Sequence, residues 1–395
     1  MKTVTALVLF LVASSAALAQ DQQVGARTKA MGGSYTAFED DPVSIWLNPA
    51  GIATQPDAAA VAYQTYTLYE IKIRSSGSGN HSPAEYGWTD PAIIPSFVGV
   101  TFQLGGADSP QSLGICFTTP FRLKFTYDDT QNPPGPGDQL MDQVFYRIRA
   151  AYAYDFRFKP AGGEGFFTHL ALGLGLDVNV TNWSMTEFLA AGGTFSVSGT
   201  DMGFGGGAGL LLGLYDNTRD FKVNFGAAWQ SKASYDFSII AETVPLFDWP
   251  NQYQAGVAIY LLKDMPLRVT LDAQLIGWDG ATPDSKLAGV DDFRDSINYS
   301  AGFEYRIKAN DRVAVYPRAG IRLYQAPWAD HDRADLPAIG TSKLDIDTRS
   351  DTFLVFSFGV GLSWSSEAGK QRTFDIAADV GGDAPGLALS FSTEF

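Results

Sequence analysis

The feature that most constrains this chain is the strict alternation of large apolar and polar side chains over stretches of ten residues or more. Between Ile297 and Ile307, one parity holds Ile297, Tyr299, Ala301, Phe303, Tyr305 and Ile307, and the other holds Asn298, Ser300, Gly302, Glu304 and Arg306. Leu267 to Leu275 sets Leu267, Val269, Leu271, Ala273 and Leu275 against Arg268, Thr270, Asp272 and Gln274. Tyr146 to Phe158 sets Tyr146, Ile148, Ala150, Tyr152, Tyr154, Phe156 and Phe158 against Arg147, Arg149, Asp155 and Arg157. Successive side chains of a strand point to opposite faces, so each stretch predicts a sheet with one apolar and one polar face. A soluble antiparallel sheet can show such a face. The length and number of the stretches point instead to strands tilted across a bilayer.

About fourteen candidate strands follow, near 57–73, 95–104, 111–127, 143–158, 166–182, 202–214, 221–238, 251–262, 266–279, 297–307, 311–325, 352–365, 371–382 and 386–395. Their connections sort by length. Gly105 to Pro110, Lys159 to Gly165, Tyr215 to Asp220, Lys263 to Met265, Lys308 to Asp311 and Ser365 to Lys370 are compact, and most carry Gly, Asp, Asn or Pro. Between them lie longer pieces such as Arg74 to Ile94, Asp279 to Ser296 and Gln325 to Asp351. Short turns on one side and long loops on the other are the arrangement of a bacterial barrel.

Composition narrows the choice. Beyond Gln20 no uncharged apolar run approaches the about 20 residues of a membrane helix, which leaves a soluble secreted protein or a barrel. At the start of the chain, Lys2, the apolar run Val4 to Val12 and Ala17-Leu18-Ala19 predict a cleaved signal peptide over residues 1–19, with an uncleaved anchor as the other reading. A single cysteine, Cys116, excludes a disulfide framework. The formal net charge of -15 argues against a nucleic-acid partner. The last strand places Leu387, Leu389, Phe391, Thr393 and Phe395 on one face, a terminal signal similar to that read by the barrel assembly machinery.

The segment before the first strand carries Gly25-Ala26-Arg27, Ala30-Met31-Gly32-Gly33-Ser34-Tyr35-Thr36-Ala37, Asp40-Asp41-Pro42 and Trp46-Leu47-Asn48-Pro49-Ala50-Gly51. In order and spacing it resembles the N-terminal plug of the FadL-like superfamily of outer-membrane channels. Tyr253 to Trp278 and Tyr299 to Tyr324 are similar to that family as well. The resemblance implies an all-β transmembrane antiparallel β-barrel of about 14 strands, with residues 20–56 as plug and 57–395 as barrel. It implies passage of long-chain fatty acids or other hydrophobic small molecules, with outer-membrane lipid around the wall. The plug motif is equally similar to PorV-like members, which implies the alternative of a secretion or surface-attachment barrel with a protein partner.

Several residues stand out as candidates. Asn48, Pro49 and Ala50 predict a plug turn, either purely structural or part of a gate. Gly203, Gly205, Gly207 and Gly209 share one strand face, and Gly173 and Gly175 share the face of the strand before it. Together they predict a bare lumen wall, open to a plug or ligand or simply empty space. Pro120 cannot donate to a ladder, so it predicts a bulge or a wall interruption through which a ligand leaves sideways. Arg147, Arg149, Arg318 and Arg322 fall on lumen parity, as partners of lumen acids or the plug or as head-group contacts. Apolar outer segments, Ile239-Ile240 and Val244 to Trp249, are candidates for ligand capture.

Enzyme chemistry has little support. His81, His169 and His331 fall beside no Ser nucleophile or metal-ligand pattern, although the partners of a barrel lipase triad would meet only in space. Asp40-Asp41 and Asp291-Asp292 read as solvated loop acids rather than a metal site. The glycine-rich runs lack a phosphate-loop Gly-Lys-Ser/Thr. No cofactor is expected.

Overall fold

A computed structural model describes residues 16–17, 24–38, 40–64, 69–75, 95–106, 109–127, 139–159, 164–188, 193–217, 220–235, 248–261, 266–278, 280, 295–325, 331–335, 344–348, 352–383 and 386–395. Most of the signal-peptide region, His81, Ile239-Ile240, residues 244–247 and Asp291-Asp292 lie outside the described residues.

Fourteen strands close into one barrel, each antiparallel to its wall neighbours. They are β1 Ala58–Gln64, β2 Phe97–Gln103, β3 Gln111–Tyr127, β4 Gln139–Arg157, β5 His169–Phe188, β6 Thr194–Asn217, β7 Phe221–Gln230, β8 Asn251–Leu261, β9 Leu267–Gly277, β10 Ser296–Tyr305, β11 Val313–Gln325, β12 Thr352–Ser365, β13 Gln371–Val380 and β14 Gly386–Glu394. The seam closes between β14 and β1, from Ala58↔Glu394 to Gln64↔Ala388. Closure leaves no unpaired edge, the condition for a sheet to stand in lipid.

The alternation now has a direction. Leu174, Leu176 and Phe204 stand outward at 66, 77 and 74% exposure, while Asp177, Asn179 and Thr181 on the opposite parity are buried in the lumen. The same rule places Arg147 and Arg149 of β4, Asp272 of β9, Glu304 of β10 and Arg318 of β11 inside. Aromatic side chains cluster at the end where the short turns lie: Phe102 meets Phe395 with centroids 5.9 Å apart, and Tyr215 meets Phe166 at 4.9 Å and Phe221 at 6.0 Å. Girdles of aromatic side chains flank the apolar band of membrane barrels, so these mark the inner rim of that band.

Three departures from the predicted strands matter for the lumen. First, β4, β5 and β6 run to 19, 20 and 24 residues, well beyond the roughly 9–11 a tilted span needs, so they rise past the apolar band. Second, β7 stops at Gln230 instead of 238. The chain from Ser231 to Tyr235 bends inward over Gly203 and Gly205, where a Cβ would come within 2.7 Å of the Ser234 carbonyl oxygen and 2.8 Å of Ser231 Oγ. Only a side chain of hydrogen leaves that space. Third, the first predicted strand splits. Tyr69–Ser75 no longer follows β1 but lies parallel to the upper half of β3, from Tyr69↔Leu123 to Ile73↔Tyr127.

The segment from Val24 to Asp57 lies inside the barrel. It contains two short helices, α1 Ala26–Ala30 and α2 Ser44–Leu47, followed by a 3₁₀ turn Pro49–Ile52. Its side chains contribute more to the buried apolar cluster than any single strand, including Tyr35, Phe38, Ile45, Trp46 and Ile52.

Candidate functional site

The site is the lumen and what fills it. At one side α1 lies flat on β12, β13 and β14. Small residues make this approach possible: Ala26 and Ala30 pack on Ala377 and Ala388, and a Cβ at Gly359 would stand 2.5 Å from that of Ala30. Lys29, fully buried, donates from Nζ to Asp379 Oδ2 at 2.9 Å. Beyond the helix Gly32 adopts φ 67°, and any Cβ there would meet the Ile321 backbone at 2.9 Å. A glycine in the left-handed region is what lets the segment press against β11.

The opposite side rests on the glycine wall. Asn48 donates from Nδ2 to the carbonyl oxygens of Thr36 at 2.7 Å and of Leu210, in β6, at 3.0 Å. Its Oδ1 accepts from the Ala50 N–H at 3.2 Å and starts the 3₁₀ turn. Gly173 and Gly209 face each other across β5 and β6 directly beneath this turn. A Cβ at Gly173 would overlap the Pro49–Ala50 peptide, and one at Gly209 would overlap the Asn48 side chain. Gly175 and Gly207 instead make room for the Arg149 side chain, and Gly203 and Gly205 for the bent chain after β7. The three stretches of one bare wall therefore carry three different occupants.

Between these sides sits a buried polar clamp. Arg149 forms a two-pronged pair with Asp177, Nε to Oδ1 at 2.6 Å and Nη2 to Oδ2 at 2.8 Å, and gives Nη1 to the Trp46 carbonyl oxygen at 2.8 Å. Gln230 Nε2 donates to the same carbonyl at 3.0 Å. Asp272 Oδ2 accepts from Tyr35 N, Thr36 N and Thr36 Oγ1 at 2.8, 2.7 and 2.6 Å. Such contacts to main-chain groups depend little on the side chains of the inner segment.

Nearer the short-turn end the contacts are ionic. Glu304 accepts from Arg27 Nε at 2.9 Å and Nη2 at 3.1 Å, and from Arg318 Nε at 2.7 Å. Arg318 also gives Nη1 to Asp375 at 2.6 Å. Arg268 pairs with Asp40 and with Glu304. Arg27 bridges to Asp40 at 3.0 Å. Burial would raise the Asp40 carboxyl, but Arg268 and Arg27 outweigh it and hold it at about 2. Burial does win at Asp41, whose carboxyl is raised, while it accepts from Val43 N at 2.9 Å and Tyr35 Oη at 3.1 Å. A cavity of about 360 Å³ opens here, lined by Arg27, Asp40, Arg268, Arg306, Arg318 and Glu394 among others.

Of the arginines singled out from the sequence, Arg149 touches the inner segment directly, and Arg318 reaches it through Glu304. Arg147 lies between the Trp46 and Trp249 rings, with its guanidinium 5.1 and 4.5 Å from their centroids. Arg322 stands 5.8 Å from the Tyr324 ring and lines a small chamber with Gln252, Gln274 and Asn298. Pro120 falls where β3 bulges against β4, between Thr118 and Phe121. The β2 ladder ends at Phe97↔Thr118, just before the parallel pairing takes over. His169 Nδ1 lies 3.2 Å from Asp155 Oδ1, and Arg157 Nε donates to the other oxygen, Asp155 Oδ2, at 2.8 Å. Arg27, Lys29 and Gln230 carry contacts that the sequence does not announce, Asp272 holds the Thr36 backbone rather than an arginine, and Trp249, the end of an expected capture segment, is buried against Arg147. The inward parity of Gln230 and Asp272 was the available signal.

No protein-family profile and no curated protein matches the chain in sequence. Solved structures do match in shape. A FadL homologue of Pseudomonas aeruginosa superposes with a TM-score of 0.59 at 13% identity, over 96% of this chain and 99% of that one. The toluene transporter TbuX of Ralstonia pickettii gives 0.58 at 16%, over 95% and 99%. The toluene transporter TodX of P. putida gives 0.56 at 14%, over 95% and 99%. The barrel described here thus has the fold of FadL-like channels.

Proposed function

We propose that this protein is an outer-membrane channel for passive uptake of hydrophobic small molecules, with the inner segment as a movable plug. The observation that carries the reading is the way the lumen is filled. The segment is held by barrel side chains on its backbone at Thr36 and Trp46, by the Asn48 side chain on the Leu210 carbonyl oxygen, and by ion pairs at Arg27 and Lys29. None of these is a strand ladder, so the segment can detach without unzipping the wall. The fold shared with two toluene transporters supports an apolar cargo, aromatic hydrocarbons as well as the long-chain fatty acids suggested by the sequence resemblance.

In this reading Asn48-Pro49-Ala50 on Gly173 and Gly209 forms the seat of the plug, and its release opens the path. The break beside Pro120 supports a sideways exit. An apolar solute leaving there enters lipid directly and avoids re-exposing its surface to water, a saving of about 25 cal/mol per Å². Residues 1–19 act as the export signal, and the alternating strand that ends at Phe395 addresses the chain to the assembly machinery.

Uptake of labelled toluene and labelled oleate by cells with and without the protein tests the proposal. Faster uptake of either supports it, and equal rates for both would remove the channel reading. Pro120→Ala with unchanged uptake would remove the sideways exit alone.

A further inference from the structure

The buried charge around Trp46 does not balance. Arg147 and Arg149 occupy successive inward positions of β4, and the acid they meet among the described residues is Asp177 alone. Asp177 gives both oxygens to Arg149 and stands 3.3 Å from Arg147 Nη1. All three side chains are at most 1% exposed. One positive charge is left over in a place closed to water, where an unanswered charge is strongly unfavourable.

Donors are in excess at the same spot. Arg147 gives Nε to Asn179 Oδ1 and Nη1 to Gln230 Oε1 at 2.8 Å. Arg147 Nη2, Asn179 Nδ2 and Trp249 Nε1 have no hydrogen-bond partner among the described residues, and the three residues are 1, 1 and 2% exposed. Each is a donor that cannot accept, so its complement is an oxygen, preferably an anionic one.

The shape of the place is aromatic. The Arg147 guanidinium lies against both indoles, whose rings meet edge to face at 5.9 Å and 73°. Phe145 approaches Trp249 at 5.9 Å. Trp46 belongs to the plug and Phe145 to the wall. Trp249 precedes β8, outside the barrel ladder, and its backbone pairs only across the isolated bridge to Ala233. Its ring is therefore the part of the box that a second flat ring could most readily replace.

We propose that this box binds an aromatic carboxylate. The ring takes the place of the Trp249 indole against Arg147 and Trp46, and the carboxylate accepts from Arg147 Nη2 and Asn179 Nδ2. The inference rests on the channel reading and narrows it: the cargo carries an acid as well as an apolar ring. Because Trp46 sits in the plug, the ligand would touch the element that must move.

Equilibrium binding of benzoate, toluene and decanoate to the full chain in detergent micelles tests this, with heat-modifiable gel mobility to certify a folded barrel. Benzoate is expected to bind at least about tenfold tighter than toluene, because a hydrogen bond to a charged group adds about that much, and tighter than decanoate, whose alkyl chain cannot stack on the guanidinium and the Trp46 indole. Trp249→Ala, which removes the competing ring, should tighten benzoate further. Arg147→Gln should abolish the preference for benzoate. Equal affinity for benzoate and toluene, or equal affinity for benzoate and decanoate, overturns the proposal. So does a Trp249→Ala protein with unaltered benzoate affinity. If toluene binds and is taken up while benzoate is not preferred, the inference fails and the channel stands. If none of the three binds and none is taken up, both fail.

Discussion

Replacing Asn48 with alanine isolates the seat of the plug from the rest of the barrel. The side chain makes three hydrogen bonds in a buried site: to the carbonyl oxygens of Thr36 and Leu210 and from the Ala50 N–H. Only the bond to Leu210 joins the segment to the wall, the other two lying within the segment, so at about 1 kcal/mol for that bond, and a little more for the carbonyl left behind, the docked state loses about 1.5 kcal/mol. That is about tenfold in the ratio of released to docked segment. No strand residue changes, so the folded barrel should still migrate fast on an unheated gel. The assay is maleimide labelling of a cysteine introduced at Ala53, which is fully buried, on a Cys116→Ser background. Labelling should accelerate by about an order of magnitude, since rate follows the released population. Asn48→Asp loses both donors and sets a buried carboxylate against two carbonyl oxygens, so it should label at least as fast as the alanine protein. A labelling rate within twofold of the parent protein would refute the idea that this residue holds the segment to the glycine wall.

Other expectations follow from the same geometry. Gly173→Leu should displace the Pro49–Ala50 turn and raise bilayer conductance, while Leu172→Ala, one position away on the lipid face, should leave conductance unchanged. Glu304→Gln leaves the buried Arg318 and the largely buried Arg27 without their shared carboxylate, and should cost about 3–5 kcal/mol, seen as a lower temperature of gel-shift unfolding. Leu174→Arg puts a charge on the lipid face and should lower stability by about 2–4 kcal/mol in urea titrations of vesicle-inserted protein. Asp40 has a depressed pKa, so its support of the segment is complete above about pH 4 and disappears as pH falls through about 2. Labelling at Ala53, taken as a ratio to a fully exposed cysteine because the thiolate fraction itself falls with pH, should therefore be flat from pH 7 to 5, and an Asp40→Asn protein should already show the faster rate at neutral pH.

Much of the barrel was legible because period two carries its own geometry. The parity of Arg147, Asp272, Glu304 and Arg318 alone assigns them to the lumen, where they lie. The same reasoning found the bare wall, since Gly173 and Gly209 stand on one face of consecutive strands. What occupies that wall was not legible. The partner of Gly173 is a peptide group of the inner segment, and peptide groups leave no trace in residue identity. Nor could periodicity pair Arg27 with Glu304, 277 positions away. It also overran at β7, where alternation continues past Gln230 while the backbone bends toward Gly203, because the space left by a missing side chain is a tertiary fact. Arg147 was recognised as a lumen cation, but the two indoles around it come from remote parts of the chain.

The inner segment runs without a break into β1, and Asp57 at that junction accepts from the Phe395 N–H where the barrel seam closes. A detached segment is therefore leashed rather than lost. Its return is an intramolecular event at a millimolar local concentration, needing no encounter from solution. In the proposed channel such a device would reseal itself as soon as its cargo departs, and the membrane need not tolerate a standing hole.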